Sequence, residues 1–170
     1  MQYVELIESL IDRGVRFIVV GGVAVVLHGV PRATFDLDLL LDLETTNVRT
    51  FVDIMLAHGL APRAPVDPYE LANPVTRAQW VSEKHLRAFS FFEPRGGAVD
   101  VLLSAPIDYA GASVDAVEAP MGKSRVRFAS IAALITMKRA ADRGKDRLDI
   151  EALELILQLD LQLDEEQGDL

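Results

Sequence analysis

The chain has 170 residues, 50% of them hydrophobic and 25% charged, with no cysteine; this is enough to bury a full core in a single domain over 1–170, with residues 130–160 as its C-terminal helical part. Zero cysteines exclude a disulfide scaffold and a thiolate zinc site, and His28, His58 and His85 stand at no short ligand spacing, so any metal must be held by oxygen. Seventeen basic against 26 acidic side chains give a formal charge of -9, which argues against extended binding of duplex DNA but leaves local binding of a short RNA end open.

The N-terminal residues Met1 to Glu5 lack a positive region, and the longest apolar stretch, Phe17 to Leu27, is too short for a bilayer and is broken by Gly21-Gly22. The expectation is a soluble, cytoplasmic protein with no membrane partner. Val4, Ile7, Leu10 and Ile11 recur at helical spacing and predict a first helix stopped by Gly14. Phe17-Ile18-Val19-Val20 reads as a buried strand, ended by Gly21-Gly22 before a helical stretch through His28-Gly29. A second strand is predicted from Phe35 to Leu41, and Asn47 to His58 reads as a helix closed by Gly59.

Four prolines between Ala61 and Pro74 predict a loop that lines a cleft. Arg77 to Ser82, Leu86 to Glu93 and Ala98 to Leu103 then read as strands, the last two joined by a turn at Arg95-Gly96-Gly97. Val114 to Glu118 and Ser124 to Phe128 predict a hairpin through Met121-Gly122. Ser130 is the expected N-cap of a helix to Asp142, Gly144 separates it from a last helix over Asp146 to Leu159, and the acidic tail from Asp164 is expected to fray.

The segment with most chemical content is Phe35-Asp36-Leu37-Asp38-Leu39-Leu40-Leu41. Alternate side chains of a strand share a face, so Asp36 and Asp38 point one way while Phe35, Leu37 and Leu39 enter the core. Two carboxylates about 7 Å apart at their Cα atoms suit a hard cation. A solvated strand face is the plainer reading, but unpaired like charges in so apolar a run cost stability, and a bound cation accounts for them better. Asp100 has the same setting in Ala98-Val99-Asp100-Val101-Leu102-Leu103; its plainer role is to protect an edge strand. If the two strands are neighbours, three carboxylates converge, an arrangement suited to two-metal phosphoryl or nucleotidyl transfer.

Gly21-Gly22, at the change from strand to helix, lets backbone N–H groups approach a phosphate, although glycine pairs also mark simple turns. Lys138 falls on the apolar stripe of Ile131, Leu134 and Ile135, where it either snorkels to the surface or aims at an anion. Ile150, Leu153 and Leu157 define the inner stripe of the last helix, and Asp146, one turn before Ile150, is placed to orient Lys138 or Lys145. Arg139, Arg143 and Arg147 read as a solvated basic face. His28 reads as a packed or capping residue, and Trp80, Phe89, Phe91 and Phe92 read as core. No serine has a convincing base partner, so covalent hydrolase chemistry is not supported.

In this order, Gly-Gly, short helix, Arg32-Ala33-Thr34-Phe35-Asp36-Leu37-Asp38, the later Asp100, then Lys138 and Lys145-Asp146, the chain resembles the nucleotidyltransferase superfamily of DNA polymerase beta type. Within it the chain is similar to small prokaryotic proteins related to the toxins of abortive-infection toxin-antitoxin pairs. The resemblance implies an α/β (α+β) fold, a mixed sheet flanked by helices with the metal site on its open face. It implies that Gly21 and Gly22 cradle the triphosphate of an NTP and that Asp36 and Asp38 bind magnesium or manganese. Asp100 would complete the metal site and act as the base, Arg32, Thr34 and Lys138 would contact phosphates, and Lys145 and Asp146 would support them. The implied reaction moves a nucleoside monophosphate to a hydroxyl of an RNA end, such as that of tRNA, or of a protein, and a cognate antitoxin is the implied partner. One position departs from the pattern: many active members carry Ser or Thr after the two glycines, where this chain has Val23. The second reading is therefore a catalytically silent module that acts by binding nucleotide or protein.

Overall fold

A computed structural model describes residues 3–93 and 96–168, with side chains for all of these except 160, 161 and 163–168. Met1, Gln2 and Arg95, the last in the expected Arg95-Gly96-Gly97 turn, lie outside the described residues. The helices are α1 (Val4–Asp12), α2 (Gly21–Leu27), α3 (Thr45–Ala57), α4 (Pro74–Ser82), α5 (Tyr109–Ser113), α6 (Ile131–Ala141) and α7 (Gly144–Gly168), with a 3-10 helix over Pro68–Ala72. The strands are β1 (Phe17–Val20), β2 (Leu37–Leu41), β3 (Ala61–Pro62), β4 (Ala88–Phe92), β5 (Ala98–Leu102), β6 (Val117–Met121) and β7 (Ser124–Phe128).

These strands form one seven-stranded mixed sheet in the order β3-β4-β5-β2-β1-β7-β6. The centre is β5-β2-β1, with β2 parallel to β5 and antiparallel to β1. The register fixes what each face carries, because residues paired across a sheet share a face. Leu37 pairs with Val99 and Leu39 with Val101, and these two in turn pair with Phe91 and Phe89. This face is buried: Phe51 of α3 meets Phe91 edge-on at 5.7 Å, and Trp80 of α4 stacks on Phe89 at 5.1 Å. On the other face Val20 pairs with Asp38, Asp38 with Asp100 and Asp100 with Ser90.

Three elements differ from expectation. Arg77 to Ser82 belongs to helix α4 rather than to a strand: Asn73 caps it by accepting from the Val75 and Thr76 N–H groups, and Pro74 occupies its first turn. Strand β2 starts at Leu37, so Phe35 is not in the core and is 72% exposed. Helix α7 continues through the acidic tail to Gly168, since no breaker interrupts its run of leucine, glutamate and glutamine. On it Leu153 is fully buried and Ile150 is partly buried, but Leu157 is 42% exposed and is not part of the inner stripe. The proline-rich stretch contains β3 and the 3-10 helix and is absent from the lining of the cleft described below. Among the described residues no helix is long and apolar enough to cross a membrane.

Candidate active site

At the end of β1 the chain enters α2 with no intervening loop, and Gly21 makes this possible by adopting φ +63°. A Cβ on Gly21 would stand 2.6 Å from Cγ of Asp38, so the turn has a second reason to be glycine: it lies against the carboxylate. The Gly22 N–H donates to Asp38. A Cβ on Gly22 would meet Thr34 at 3.0 Å and the Arg32 guanidinium carbon at 3.4 Å. Both glycines, Arg32, Thr34 and Asp38 are thus gathered at one place. Val23 points into the core and is 1% exposed.

Asp38 and Asp100 are directly paired on neighbouring parallel strands and share the face that lines a cleft of about 620 Å³. Burial, reinforced by the charges of Asp100 and Asp36, pushes the Asp38 carboxyl up to about 6, against the smaller opposing effects of Arg143 and the Gly22 N–H. The Asp100 Oδ1 atom is buried without a hydrogen-bond partner in the structure. Asp36 stands apart. It is exposed, precedes the strand, and accepts a hydrogen bond from the Ala98 N–H at 3.2 Å. Among the described residues no group of three His, Asp or Glu side chains is placed to hold a metal ion. The structure therefore brings two of the three expected carboxylates together and leaves the third nearby but turned toward the backbone.

The opposite wall of the cleft comes from α6, which places Leu134, Met137 and Lys138 along it. Lys138 is buried, which excludes snorkelling to the surface, and its Nζ donates to Asp149 at 2.6 Å and stands 3.6 Å from Asp146. Of the two lysines expected beside Asp146, Lys138 stands within ion-pair distance of it, whereas Lys145 is exposed. Arg143 is exposed, in line with the solvated face expected for it, and it also borders the cleft and donates to Asp146 at 2.9 Å. Although burial raises the Asp146 carboxyl, hydrogen bonds from Arg143 and the charges of Arg143 and Lys138 hold it below the usual carboxylate range.

Asp149 is the residue that sequence reasoning missed. It is 6% exposed and pairs with both Lys138 and Arg32, so it ties the cleft wall to the glycine turn. A signal was present, because Asp149 lies three residues after Asp146 and therefore on the same side of α7. His28 is packed, with Nε2 2.8 Å from the Ala129 carbonyl and its ring edge-on to Phe128. Trp80, Phe89 and Phe91 are core, but Phe92 is 48% exposed.

No protein-family model and no curated protein matches the sequence. Solved structures do match in fold, among them these two. One is the lincomycin-bound lincosamide antibiotic adenylyltransferase LnuA, at TM-score 0.60 and 16% identity over 89% of this chain and 94% of that one. The other is an antigenic nucleotidyltransferase-like protein from Paracoccidioides brasiliensis, at TM-score 0.53 and 15% identity over 93% of this chain and 74% of that one. The seven-stranded mixed sheet with its flanking helices is the fold that this chain shares with these two structures.

Proposed function

We propose that the chain is a magnesium-dependent nucleotidyltransferase that moves a nucleoside monophosphate from an NTP to an acceptor hydroxyl. The observation that carries this reading is the register pair of Asp38 and Asp100 beside the Gly21-Gly22 turn, with a buried Asp100 oxygen that lacks a partner. Two hard oxygen ligands and an unsatisfied buried acceptor suit magnesium or manganese. Asp38 and Asp100 would hold the ion, and Asp36 would join them on releasing the Ala98 N–H. When bound, the ion supplies neutralising charge for the triphosphate and lowers the barrier to hydroxyl deprotonation.

The protein's own groups account for the remainder. Gly21 and Gly22 leave room for phosphate at the start of α2, and Arg32, Thr34 and Lys138 supply donors, with Arg32 and Lys138 held in place by Asp149. The acceptor oxygen bonds to the α-phosphorus as the bond to the β-phosphate oxygen breaks, pyrophosphate leaves, and Asp100 takes the hydroxyl proton. An RNA end or a protein side chain is the acceptor that the family resemblance implies, with an antitoxin as partner in that case. The similarity to a lincosamide antibiotic adenylyltransferase adds a small-molecule acceptor to the classes to be tested.

The catalytically silent reading is favoured by the buried Val23 and by the orientation of Asp36. The experiment that separates the two is incubation with each α-labelled NTP, magnesium, and cellular RNA, protein or metabolite fractions. Label transferred to any fraction supports the enzyme; nucleotide binding without transfer in every fraction supports the silent module.

A further inference from the structure

Arg87 and Ser104 line the catalytic cleft and also a second cavity of about 300 Å³, whose other lining residues are Val81, His85 and Leu86. The two spaces meet near the strand that carries Asp100: Ala88, next to Arg87, pairs with Leu102, two residues along β5 from Asp100. The chain reaches this point through a tight turn after α4, in which the Leu86 N–H donates to the Trp80 carbonyl at 3.0 Å and His85 adopts φ +52°. A left-handed conformation is unfavourable for a residue with a Cβ. The turn leaves Lys84, His85 and Arg87 exposed together with Glu83, in a chain with a net charge of -9.

The other two cations lining the cleft are already paired, Lys138 with Asp149 and Asp146, and Arg143 with Asp146. Arg87 has no ion-pair partner among the described residues. A guanidinium with free donors, lining the same cavity as a hydroxyl and an imidazole, matches the several acceptor oxygens of a phosphate. The donor triphosphate has its own cradle at Gly21-Gly22, against Asp38. On the proposed function the triphosphate occupies that cradle, so a phosphate bound at Arg87 would belong to a different molecule.

We propose that the Arg87 cavity is the acceptor subsite, which takes a hydroxyl-bearing ligand through a phosphate that the ligand carries. The phosphate sits on Arg87 and Ser104 while the hydroxyl reaches toward Asp100; its oxygen forms the new bond to the donor α-phosphorus, pyrophosphate leaves and the proton passes to Asp100. The assignment of the cavity to the acceptor rests on the nucleotidyltransferase reading of Asp100. A free sugar phosphate and the terminal nucleotide of an RNA present the same chemistry.

Saturation-transfer NMR titrations with ribose 5-phosphate, ribose and a short single-stranded RNA test it, alongside binding of each of the four NTPs. The parent should bind ribose 5-phosphate or the RNA at least tenfold more tightly than ribose. Arg87→Gln should lose that tenfold and Ser104→Ala several-fold, while NTP affinity stays within twofold. Binding of ribose 5-phosphate identifies a free sugar phosphate as source, and binding of the RNA alone identifies an RNA end. Equal binding of ribose and ribose 5-phosphate, or an Arg87→Gln variant that either keeps the preference or loses NTP affinity to the same degree, overturns the proposal. If the parent binds no NTP yet shows the Arg87-dependent preference, the nucleotidyltransferase reading fails and the phosphate subsite stands.

Discussion

Asp38 and Asp100 face each other in register across the parallel strands β2 and β5, and the Asp100 Oδ1 atom at that pair is buried with nothing to accept from. Two carboxylates on adjacent strands, about 4.8 Å apart in backbone spacing, repel each other when both are ionised. The fold therefore carries a local cost that a cation removes.

Metal-free Asp38→Asn should melt at the same temperature as the parent or higher. The folded-state carboxyl of Asp38 titrates near 6 against 3.8 for the unfolded chain, so the native state binds more protons in that window. Stability of the metal-free parent should fall as pH rises from about 4 to above 6, by on the order of 1–3 kcal/mol, and Asp38→Asn should lack this fall. Magnesium or manganese should raise the melting temperature of the parent and much less that of the variant. Thermal melts across pH, with and without the ion, check this; a strongly destabilised variant with an unchanged metal response would show that Asp38 is a structural hydrogen-bonding group.

Asp149→Asn should cost about 2–4 kcal/mol in folding stability, since removing one member of a buried ion pair leaves its partners uncompensated. Here the partners are Lys138 and Arg32, with Asp146 still 3.6 Å from Lys138. Urea unfolding measures it, and a change below about 0.5 kcal/mol would mean that water already screens the network. For the same reason Lys138→Ala should weaken folding as well as nucleotide binding, unlike a lysine that reached the cleft unpaired.

Two glycines with the same backbone twist separate conformational from steric effects. Gly14 has φ +68° with nothing within 4 Å of where a Cβ would stand, while Gly21 has φ +63° with Asp38 in the way. Gly14→Ala should cost about 1 kcal/mol. Gly21→Ala should cost at least about 1 kcal/mol more and should also abolish the metal response, because Asp38 must move. Equal losses in the two variants, read from urea melts, would remove the proposed contact between turn and carboxylate.

Val23→Ser tests whether the departure from the family pattern matters. Because Val23 lies in the core, the new hydroxyl should be buried rather than presented to phosphate, costing about 1–3 kcal/mol with no gain in NTP affinity. A serine variant that binds NTP tenfold better than the parent would show that this position does reach the nucleotide.

Much of this arrangement was legible before any coordinates. Alternation placed Asp38 and Asp100 in apolar strands, and their adjacency followed once β2 and β5 paired. Lys138 drew notice as the one charge on an apolar helical stripe, and it is buried at the cleft. Asp36 is harder, because alternation cannot say where a strand begins; β2 starts two residues later than expected, which leaves Asp36 hydrogen-bonded to Ala98 and Phe35 in solvent. The spacing of Asp149 from Asp146 puts it on the same side of α7, but its partners, Lys138 and Arg32, are 11 and 117 residues away in the chain, and no local pattern names them. Arg77 to Ser82 reads as a strand in the sequence, although Asn73-Pro74 marks the start of helix α4.

The most direct test of the central claim is nucleotidyl transfer from α-labelled NTP by the parent, Asp38→Asn and Asp100→Asn, each with magnesium and with chelator. Transfer should require the divalent ion, and each substitution should reduce it at least 100-fold while the proteins remain folded. Transfer that persists in chelator, or that survives loss of either carboxylate, would contradict the assignment of the Asp38 and Asp100 pair as the reaction centre.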